Sequence, residues 1–397
     1  MRPLRTLVFA VLAVSTASPA AAQSLFATRG LGMPVAPLDA RARALGGIGV
    51  GLIGFDMSFA NPAEVAGLGR RGVVASLQPG SASPTLDGAT GDISASRFPL
   101  IRLAYPLGQS FVASLGYASA LEQSWSISES GTEIIGSDTV DTRDVISATG
   151  GVARVGLGLA WRITESFSVG LTGGLYTGNL DRRVSRTFND STIGLQPFDT
   201  RLQWDYSGTW ATAGARFDLP GVARLGASLS ISGDLDVNGL DEGARDDRAD
   251  MPMIFTAGAS GVLSSTLVAA AGAEWTGGAA GQVLQAEDAV SFRRDTWRAG
   301  GGLEYTGWRG AARTWPIRLG VNWAQLPFHD ESETPASEWA AAFGFGLNVT
   351  GDAASPLAIV DMSVERGSRS GLESTALPGG LSESFWRWTF SLSLFGL

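Results

Sequence analysis

The residues best suited to catalysis stand close together in one stretch of the chain: His329, Asp330 and Ser332. A serine nucleophile with a histidine base and a carboxylate would give hydrolase chemistry. Such triads are assembled across a fold, and nearby positions in one loop do not set the required geometry. His329 is the only histidine and the 29 basic residues are all arginine, so lysine chemistry is absent as well. The sequence therefore predicts no enzyme and no catalytic residues.

A second candidate is a calcium loop. Asp234, Asp236 and Asn238 open the pattern D-x-D-x-N-G, but Arg245 stands at the twelfth position, where a bidentate glutamate is needed. We therefore predict no metal site, and we expect the acids of 241–250 to lie in a solvated loop. The sequence contains no phosphate-binding loop, dinucleotide fingerprint or HExxH motif, so it predicts no cofactor.

Composition narrows the class of protein. Hydrophobic residues make up 44% of the 397 residues and charged residues 17%, with 53 glycines and no cysteine. The chain is too apolar to be disordered, and its charge content is below the roughly 25% of an average soluble domain. A net charge of −9 opposes nucleic-acid binding, which needs a basic face. We expect part of the surface to face something other than water.

Residues 1–22 have the pattern of a secretory signal peptide. Arg2 and Arg5 precede an apolar core, and three alanines end the stretch at Ala22. The core is too short for a membrane-spanning helix, which needs about twenty residues. We expect export of the chain, with cleavage before Gln23.

Most of the remaining chain alternates between apolar residues and small or charged ones, which is the signature of β-strands. In 153–161 the odd positions are Ala, Val, Leu, Leu and Trp, whereas Arg154, two glycines and an alanine lie between them. The polar side holds Gly, Ser, Ala and isolated Arg, which favours a crowded lumen over the surface of a soluble sandwich. Trp and Tyr concentrate near segment ends, as in the aromatic girdles of outer-membrane barrels.

The alternating segments number fourteen, an even count as single-chain bacterial barrels require. They are 72–78, 94–106, 110–130, 150–163, 167–185, 199–219, 222–239, 251–264, 265–278, 291–307, 313–328, 337–351, 356–370 and 383–397. Tight turns alternate with longer polar connections, which are 79–93, 131–149, 186–198, 240–250, 279–290, 329–336 and 371–382. The sequence therefore predicts an all-β fold, a transmembrane antiparallel β-barrel of about 14 strands formed by residues 72–397.

Residues 23–71 precede the first strand and do not alternate. Within them, Asn61-Pro62-Ala63 indicates a turn or cap, because proline fixes one backbone angle and asparagine favours such positions. A barrel of this size is too wide to be filled by its own wall side chains. We therefore expect residues 23–71 to pack inside the lumen as a plug.

Arg41 to Leu68, reading RARALGGIGVGLIGFDMSFANPAEVAGL, resembles the N-terminal hatch of the FadL-type outer-membrane hydrocarbon and fatty-acid transporters. The resemblance implies a fourteen-stranded barrel with an internal hatch. For ligand binding or gating it points to the hatch residues Asp56, Phe59, Asn61, Pro62 and Ala63. Glu64-Val65 departs from the family pattern, in which a small residue and leucine are commoner. PorV-like proteins of outer-membrane secretion systems share this kind of start.

Charged residues fall on the predicted lumen face. They are Arg102, Arg154, Arg216, Arg224, Arg298, Arg318 and Arg387, with Asp218, Glu274, Glu304, Asp361 and Glu365. Ion pairing across the inner wall accounts for them, because an unpaired charge in a narrow lumen is costly. A second interpretation is that they hold the plug or the carboxylate headgroup of a ligand, since arginine binds carboxylates bidentately.

These patterns predict an outer-membrane channel for passive uptake of hydrophobic small molecules such as fatty acids and hydrocarbons, in contact with lipid and lipopolysaccharide. We expect a lateral exit at glycine runs that permit a bulge, Gly173-Gly174 or Gly300-Gly301-Gly302. The alternative is a PorV-like accessory or structural barrel without transport, working with a secretion-system partner. A third hypothesis, an outer-membrane hydrolase, would depend on His329 and Ser332.

Overall fold

The computed structural model describes residues 24–47, 49–86, 89–135, 138–188, 196–277, 295–310, 313–329, 334–352, 355–373 and 380–396. Fourteen long strands form a closed antiparallel barrel in which sequential strands are neighbours. The last strand closes on the first, with Phe395 opposite Gly72 and Leu381 opposite Leu86. The predicted barrel and its strand number are confirmed. In the described ranges no helix is long and apolar enough to cross a membrane.

The barrel strands are β1 Gly72–Leu86, β2 Ile93–Pro106, β3 Phe111–Glu122, β4 Asp138–Arg162, β5 Phe167–Phe188, β6 Phe198–Leu219, β7 Ala223–Gly239, β8 Ile254–Ser264, β9 Leu267–Thr276, β10 Thr296–Tyr305, β11 Ile317–His329, β12 Pro335–Asp352, β13 Ser355–Gly371 and β14 Leu381–Phe395. A further strand, Trp125–Ile135, continues β3 after Gln123 and Ser124. The helical elements are the 3-10 turns Leu25–Thr28 and Pro62–Gly67 and the short helix α1, Ala40–Ala44. The shortest strands are Met33–Pro34, Ala89–Thr90, Asp247–Ala249, Arg309–Gly310 and Arg313–Thr314.

The apolar side of the alternating strands faces away from the barrel interior. Leu157 is 69% exposed and Val321 is 63% exposed, whereas Ser168, Thr172 and Arg318 on the opposite face are buried. A closed ladder pairs the strand backbones with one another, so an apolar outer face of this kind suits a hydrocarbon environment. The predicted direction of the two faces is confirmed.

The barrel has two unequal rims. The terminal rim contains Gly72 and Phe395, and the distal rim contains Leu86 and Leu381. β4, β5 and β6 have 25, 22 and 22 residues, against 11, 10 and 10 for β8, β9 and β10. The long strands, together with Trp125–Ile135, therefore rise past the distal rim on one side. We call this sheet the outer extension, and it consists of 125–135, 138–149, 180–188 and 198–206.

The structure corrects the prediction of long loops at 79–93 and 131–149, because strands cover most of both stretches. β1 continues to Leu86, and β4 already begins at Asp138. Both faces of these stretches are largely polar, so the apolar–polar contrast that marks the barrel strands is missing there. Cross-strand ion pairs contribute to the pairing instead, such as Arg186 with Asp144 at 2.6 Å.

We predict that Leu171→Arg destabilises the barrel in lipid. Leu171 is 60% exposed on the outer face of β5, and an arginine there would cost about 2–4 kcal/mol of unfolding free energy because the guanidinium would enter hydrocarbon. The control is Ser185→Arg on the outer extension of the same strand, which should change stability by less than about 0.5 kcal/mol. Denaturant unfolding in lipid vesicles, followed by tryptophan fluorescence, measures both variants. Equal losses would contradict a lipid-facing belt.

Candidate functional site

Residues 24–71, the N-terminal segment, precede β1 and hold three short helical elements. α1 is capped by Asp39, whose Oδ1 accepts a hydrogen bond from Ala42 N at 2.8 Å. The Pro62–Gly67 turn is capped by Asn61, whose Oδ1 accepts from Ala63 N at 2.9 Å. Pro62 takes the first position of the turn, where no N–H is needed. The predicted cap at Asn61-Pro62-Ala63 is confirmed.

The N-terminal segment contacts two opposite parts of the inner wall. α1 packs against β11 to β14, and the Pro62–Gly67 turn packs against β4 to β6. Wall glycines permit the close approach: a Cβ at Gly320 would lie 2.4 Å from Gly46 N, and one at Gly214 would lie 2.0 Å from Asn61 Oδ1. The small inward residues of these strands therefore give the segment room to lie directly on the wall backbone.

Asn61 and Glu64 join the turn to the wall and to the rest of the segment. Asn61 is buried, and its Nδ2 donates to Ala215 O at 3.0 Å. Glu64 Oε1 accepts from Gly51 N at 2.8 Å and from Asn61 Nδ2 at 3.3 Å. Glu64, which departs from the FadL-type pattern, thus bridges two parts of the N-terminal segment by hydrogen bonds.

Two of the predicted lumen arginines bind backbone carbonyls of the segment. Arg216 Nη1 donates to Glu64 O at 2.6 Å, and Arg224 Nη1 donates to Leu52 O at 2.7 Å. Asp218 accepts from both guanidinium groups, at 2.9 Å from Arg216 and 2.5 Å from Arg224. Carbonyls in an irregular segment have no ladder partner, so these side chains supply the donors that they need.

Glu304 is the centre of a second anchor. Arg41 of the segment and Arg318 of β11 both bind it, with N–O distances of 2.9 and 2.6 Å. Arg318 also binds Asp361 at 2.6 Å, so the buried charges are mutually compensated. Further pairs on the inner wall are Arg298–Glu274 at 3.7 Å, Arg387–Glu338 at 2.9 Å, Arg387–Glu365 at 3.0 Å and Arg369–Glu383 at 3.1 Å.

Arg154 is held by aromatic rings. Its guanidinium lies over Trp210 and Phe59, 5.5 and 5.9 Å from the two ring centroids, and the rings themselves are 5.4 Å apart. Within the described residues Arg154 has no carboxylate within 4.0 Å. Arg102 donates to Ser58 O, next to Phe59. Among the residues that the structure describes, ion pairing therefore does not account for Arg154 and Arg102, unlike the other predicted lumen arginines.

Asp56 is a buried acid of the segment, only 5% exposed. Its Oδ1 accepts from Ser58 N at 2.7 Å, whereas Oδ2 has no hydrogen-bond partner in the described ranges. Burial raises the pKa of Asp56 to about 6, and the negative charge of Glu64 acts in the same direction. Asp56 therefore takes up a proton more readily than a solvated aspartate.

A cavity of about 210 Å³ lies between the N-terminal segment and the wall. Arg43, Arg97 and Arg154 line it, and none of the three has a carboxylate within 4.0 Å in the part of the chain that is described. Arg43 is 5% exposed, donates to Ala36 O at 2.8 Å and leaves Nε unpartnered there. Burial lowers the pKa of Arg43 to about 9; the negative charge of Glu365 opposes this shift, whereas the charges of Arg387 and Arg97 add to it. Apolar side chains of the lining include Ala27, Leu31, Met33, Leu121, Met251 and Phe328.

The wall is incomplete between β2 and β3. Their ladder covers only the part next to the terminal rim and ends at Leu100 opposite Ala118. The next residue toward the distal rim is Pro99, which has no N–H to donate, and the register of β2 against β1 shifts at the same place. The backbone ladder between the two strands therefore stops at Pro99, and beyond it Ser119 Oγ donates to Phe98 O at 2.9 Å.

The N-terminal segment occupies this gap. Met33 pairs with Glu122 and Pro34 pairs with Leu121 in a short antiparallel ladder. The cavity borders the gap, since Leu121 and Glu122 also line it. By contrast, the ladders run without a register shift through Gly173-Gly174 and Gly300-Gly301-Gly302, so the predicted position of the break is wrong. Glycine permits a bulge but keeps its backbone N–H, whereas proline has no N–H to donate to the ladder. Pro99 is therefore the residue in the sequence that indicates the break.

The remaining sequence candidates do not form sites in the described residues. His329 ends β11, while Asp330 and Ser332 lie outside the described ranges. Asp234, Asp236 and Asn238 lie on β7, where Arg248 Nε binds Asp236 at 2.9 Å and Arg248 Nη1 is 3.6 Å from Asp234. These carboxylates therefore face a guanidinium. Among the described residues no group of three His, Cys, Asp or Glu is placed to hold a metal ion.

Known proteins share this architecture. A family described as BamG matches residues 2–238. None of the curated proteins matches the chain. A FadL homologue from Pseudomonas aeruginosa is 16% identical, with a TM-score of 0.57 over 92% of this chain and 99% of that chain. The toluene transporter TodX of Pseudomonas putida is 15% identical, with a TM-score of 0.57 over 93% of this chain and 100% of that chain. The toluene transporter TbuX of Ralstonia pickettii is 17% identical, with a TM-score of 0.54 over 91% of this chain and 99% of that chain. The barrel has the FadL-type fold that the N-terminal motif indicated.

We predict that Gly214→Ala loosens the N-terminal segment. The added Cβ would lie 2.0 Å from Asn61 Oδ1 and would push the cap off β6, which should cost about 1–3 kcal/mol. The control is Gly173→Ala, where the nearest atom to an added Cβ is 3.8 Å away. Limited proteolysis in detergent should cut the segment faster in Gly214→Ala alone, with the barrel strands still protected. Equal cleavage in the two variants would show that the cap does not hold the segment.

We predict that docking of the segment weakens as the pH rises from about 4 to 6. The docked-state pKa of Asp56, about 6, is above the value of about 3.9 for an unfolded aspartate. The docked state therefore binds more protons than the undocked state between these two pKa values. Asp56 contributes at most about 3 kcal/mol to the pH dependence of the docking free energy, and Asp56→Asn should remove that contribution. Proteolysis rates from pH 4 to 7 measure the effect, with the exposed Asp205→Asn as control. An unchanged pH profile in Asp56→Asn would refute the assignment.

Proposed function

Because the chain belongs to the BamG family and its barrel has the FadL-type fold, we propose that it is an outer-membrane channel for passive uptake of hydrophobic small molecules. In this proposal residues 1–22 are the signal peptide, 23–71 the plug and 72–397 the membrane barrel. The observation that carries it is a cavity that borders both the N-terminal segment and the gap between β2 and β3.

The outer face supports a location in the outer membrane. Strands β8 to β10 have ten or eleven residues, close to the nine to eleven or so that a tilted strand needs to cross a bilayer. Trp297 and Trp339 are exposed near strand ends, where aromatic girdles of such barrels meet lipid and lipopolysaccharide headgroups.

The route that we propose enters at the distal rim, passes through the cavity and leaves sideways between β2 and β3. Residues 33–35 are the part of the segment that must move, and they are held by two register pairs and by one hydrogen bond from Val35 N to Ala120 O at 2.9 Å. The rest of the segment is anchored by buried ion pairs and by arginine–carbonyl hydrogen bonds. The gap can therefore open without undocking the whole segment.

The lining holds more arginines than acids, which supports a ligand with an apolar body and an anionic headgroup. Arginine binds a carboxylate bidentately, and Arg43, Arg97 and Arg154 have no protein carboxylate within 4.0 Å in the described residues. Toluene, the compound named for TodX and TbuX, carries no charge. We therefore favour fatty acids over plain hydrocarbons for this chain.

The hatch residues have a different task in this proposal. Asp56, Phe59 and Asn61-Pro62-Ala63 do not line the cavity, but they contact the wall and the interior of the segment. We propose that they hold the hatch in place and that Arg43 and Arg97 contact the ligand. Arg154 connects the two sets, because it lines the cavity and lies over Phe59.

A PorV-like accessory or structural barrel without transport is the second candidate. The observation that favours it is the firm anchoring of the segment, through Arg41 with Glu304 and through Arg216 and Arg224 with backbone carbonyls. A plug fixed in this way would keep the barrel closed. The outer extension would then be the working part of the molecule, in contact with a partner such as a secretion system.

We predict that a disulfide between residue 33 and residue 122 stops uptake. The chain has no cysteine, and Met33 lies opposite Glu122, so Met33→Cys with Glu122→Cys should lock the segment into the gap. Oxidised cells should take up a labelled fatty acid at the rate of cells lacking the protein, and a reductant should restore uptake. The control pair, Ser83→Cys with Ser384→Cys, links β1 to β14 and leaves the gap untouched.

Two outcomes separate the parts of the proposal. Equal uptake by reduced cells with and without the protein would defeat the channel and favour the accessory barrel. Protein-dependent uptake that continues after oxidation would defeat only the lateral route. A labelled toluene arm tests the ligand class, because transport of toluene but not of the fatty acid would contradict a role for the arginines.

A further inference from the structure

The strand Trp125–Ile135 in the outer extension is paired along only one edge. Its residues pair with β4 from Trp125 opposite Ala148 to Ile135 opposite Asp138, without a register shift. In the part of the chain that the structure describes, no strand pairs with its other edge. A row of backbone N–H and C=O groups along that edge, beyond the distal rim, thus has no strand partner.

Apart from two glutamates, this edge lacks the features that usually protect edge strands. Proline, lysine, bulges and short length keep such edges from adding a further strand. The sequence WSISESGTEII contains no proline and no basic residue, and its ladder with β4 is regular. Residues 126–132 are all exposed. An unprotected edge of this length is a template for strand addition.

The same side of β3 already accepts an added strand closer to the barrel. Met33 and Pro34 pair there with Glu122 and Leu121 in antiparallel orientation. Trp125–Ile135 continues this edge past Gln123 and Ser124. The geometry for a further added strand is therefore continuous with an interface that the molecule itself uses.

Charge decides which occupant fits. Glu133 shares Arg186 with Asp144, at 2.7 and 2.6 Å, whereas Glu129 has no ion-pair partner in the described residues. The strand carries two acids and no base, so a second copy in the same place would bring like charges together. A strand with arginine or lysine opposite Glu129 would gain a cross-strand pair instead.

We propose that the open edge of Trp125–Ile135 is a β-augmentation site for a basic strand of a partner protein. Backbone hydrogen bonds give the binding, and Glu129 selects for positive charge. The site lies beyond the apolar belt, so the partner strand approaches from the aqueous side of the distal rim. The proposal does not depend on transport through the barrel.

The test uses the full barrel in detergent and two short probe peptides, which alternate valine and threonine with arginine in one and with glutamate in the other. We expect the arginine peptide to slow hydrogen exchange at those amides of 125–135 that point away from β4. It should bind about tenfold more tightly than the glutamate peptide. Glu129→Arg should reverse this order. Glu165→Arg, in an exposed turn at the terminal rim, should leave it unchanged.

Three results would overturn the proposal. The first is slow exchange at these amides before any peptide is added, because the edge would then be covered by the chain itself or by a second copy. Native mass spectrometry distinguishes these two cases. The second is equal binding of the two peptides by the barrel, and the third is protection confined to other strands. Unchanged thermal unfolding of Glu129→Arg shows that any loss of binding does not come from misfolding.

Discussion

The structure depends on one constraint: the backbone groups of an irregular segment, buried inside a closed ring of strands, need hydrogen-bond partners. The wall satisfies its own backbone, because nearly every strand edge meets a neighbour. The N-terminal segment has almost no ladder, so its carbonyls need side-chain donors. Arg216 and Arg224 reach in from the wall, and Arg41 binds Ile53 O from within the segment. The acids of the inner wall hold these guanidinium groups, so the ion pairs and the backbone contacts form one network.

This network explains why the inner face of the barrel combines the smallest residue, glycine, with the long side chain of arginine. Where the segment lies on the wall, the inward residue is glycine, as at Gly214 and Gly320, because even a methyl group would meet backbone or amide atoms. Where a donor has to span a distance, the inward residue is arginine. Serine and threonine fill intermediate positions, and Ser260 Oγ, for example, donates to Gly51 O at 2.6 Å. The composition rich in glycine and arginine thus follows from packing the N-terminal segment against strands.

The sequence predicts the features that depend on local contrast. Alternation finds the strands where one face meets an apolar surrounding, and Asn61-Pro62-Ala63 finds a cap because its chemistry is contained in three residues. Alternation does not predict the outer extension, because both of its faces are largely polar and its strands are held by pairs such as Arg186 with Asp144. The contact of Arg248 with Asp236 is not predicted either, because the two residues are twelve positions apart and only the antiparallel register brings them together. The contacts of Arg154 with Phe59 and Trp210 join three distant parts of the chain and likewise leave no local pattern.

β3 and the strand Trp125–Ile135 that continues it bring these constraints together, because one side of this pair changes its neighbour along its length. Near the terminal rim that side pairs with β2, at the middle it pairs with residues 33–35, and beyond Ser124 no described strand pairs with it. The sequence causes the first change through Pro99, which ends the ladder. A gap in a membrane wall is costly unless its backbone groups find partners, so residues 33–35 are part of the wall as well as part of the plug. The edge that completes the barrel at one level is therefore also the edge at which we propose that the wall opens to a ligand and, farther out, binds a partner.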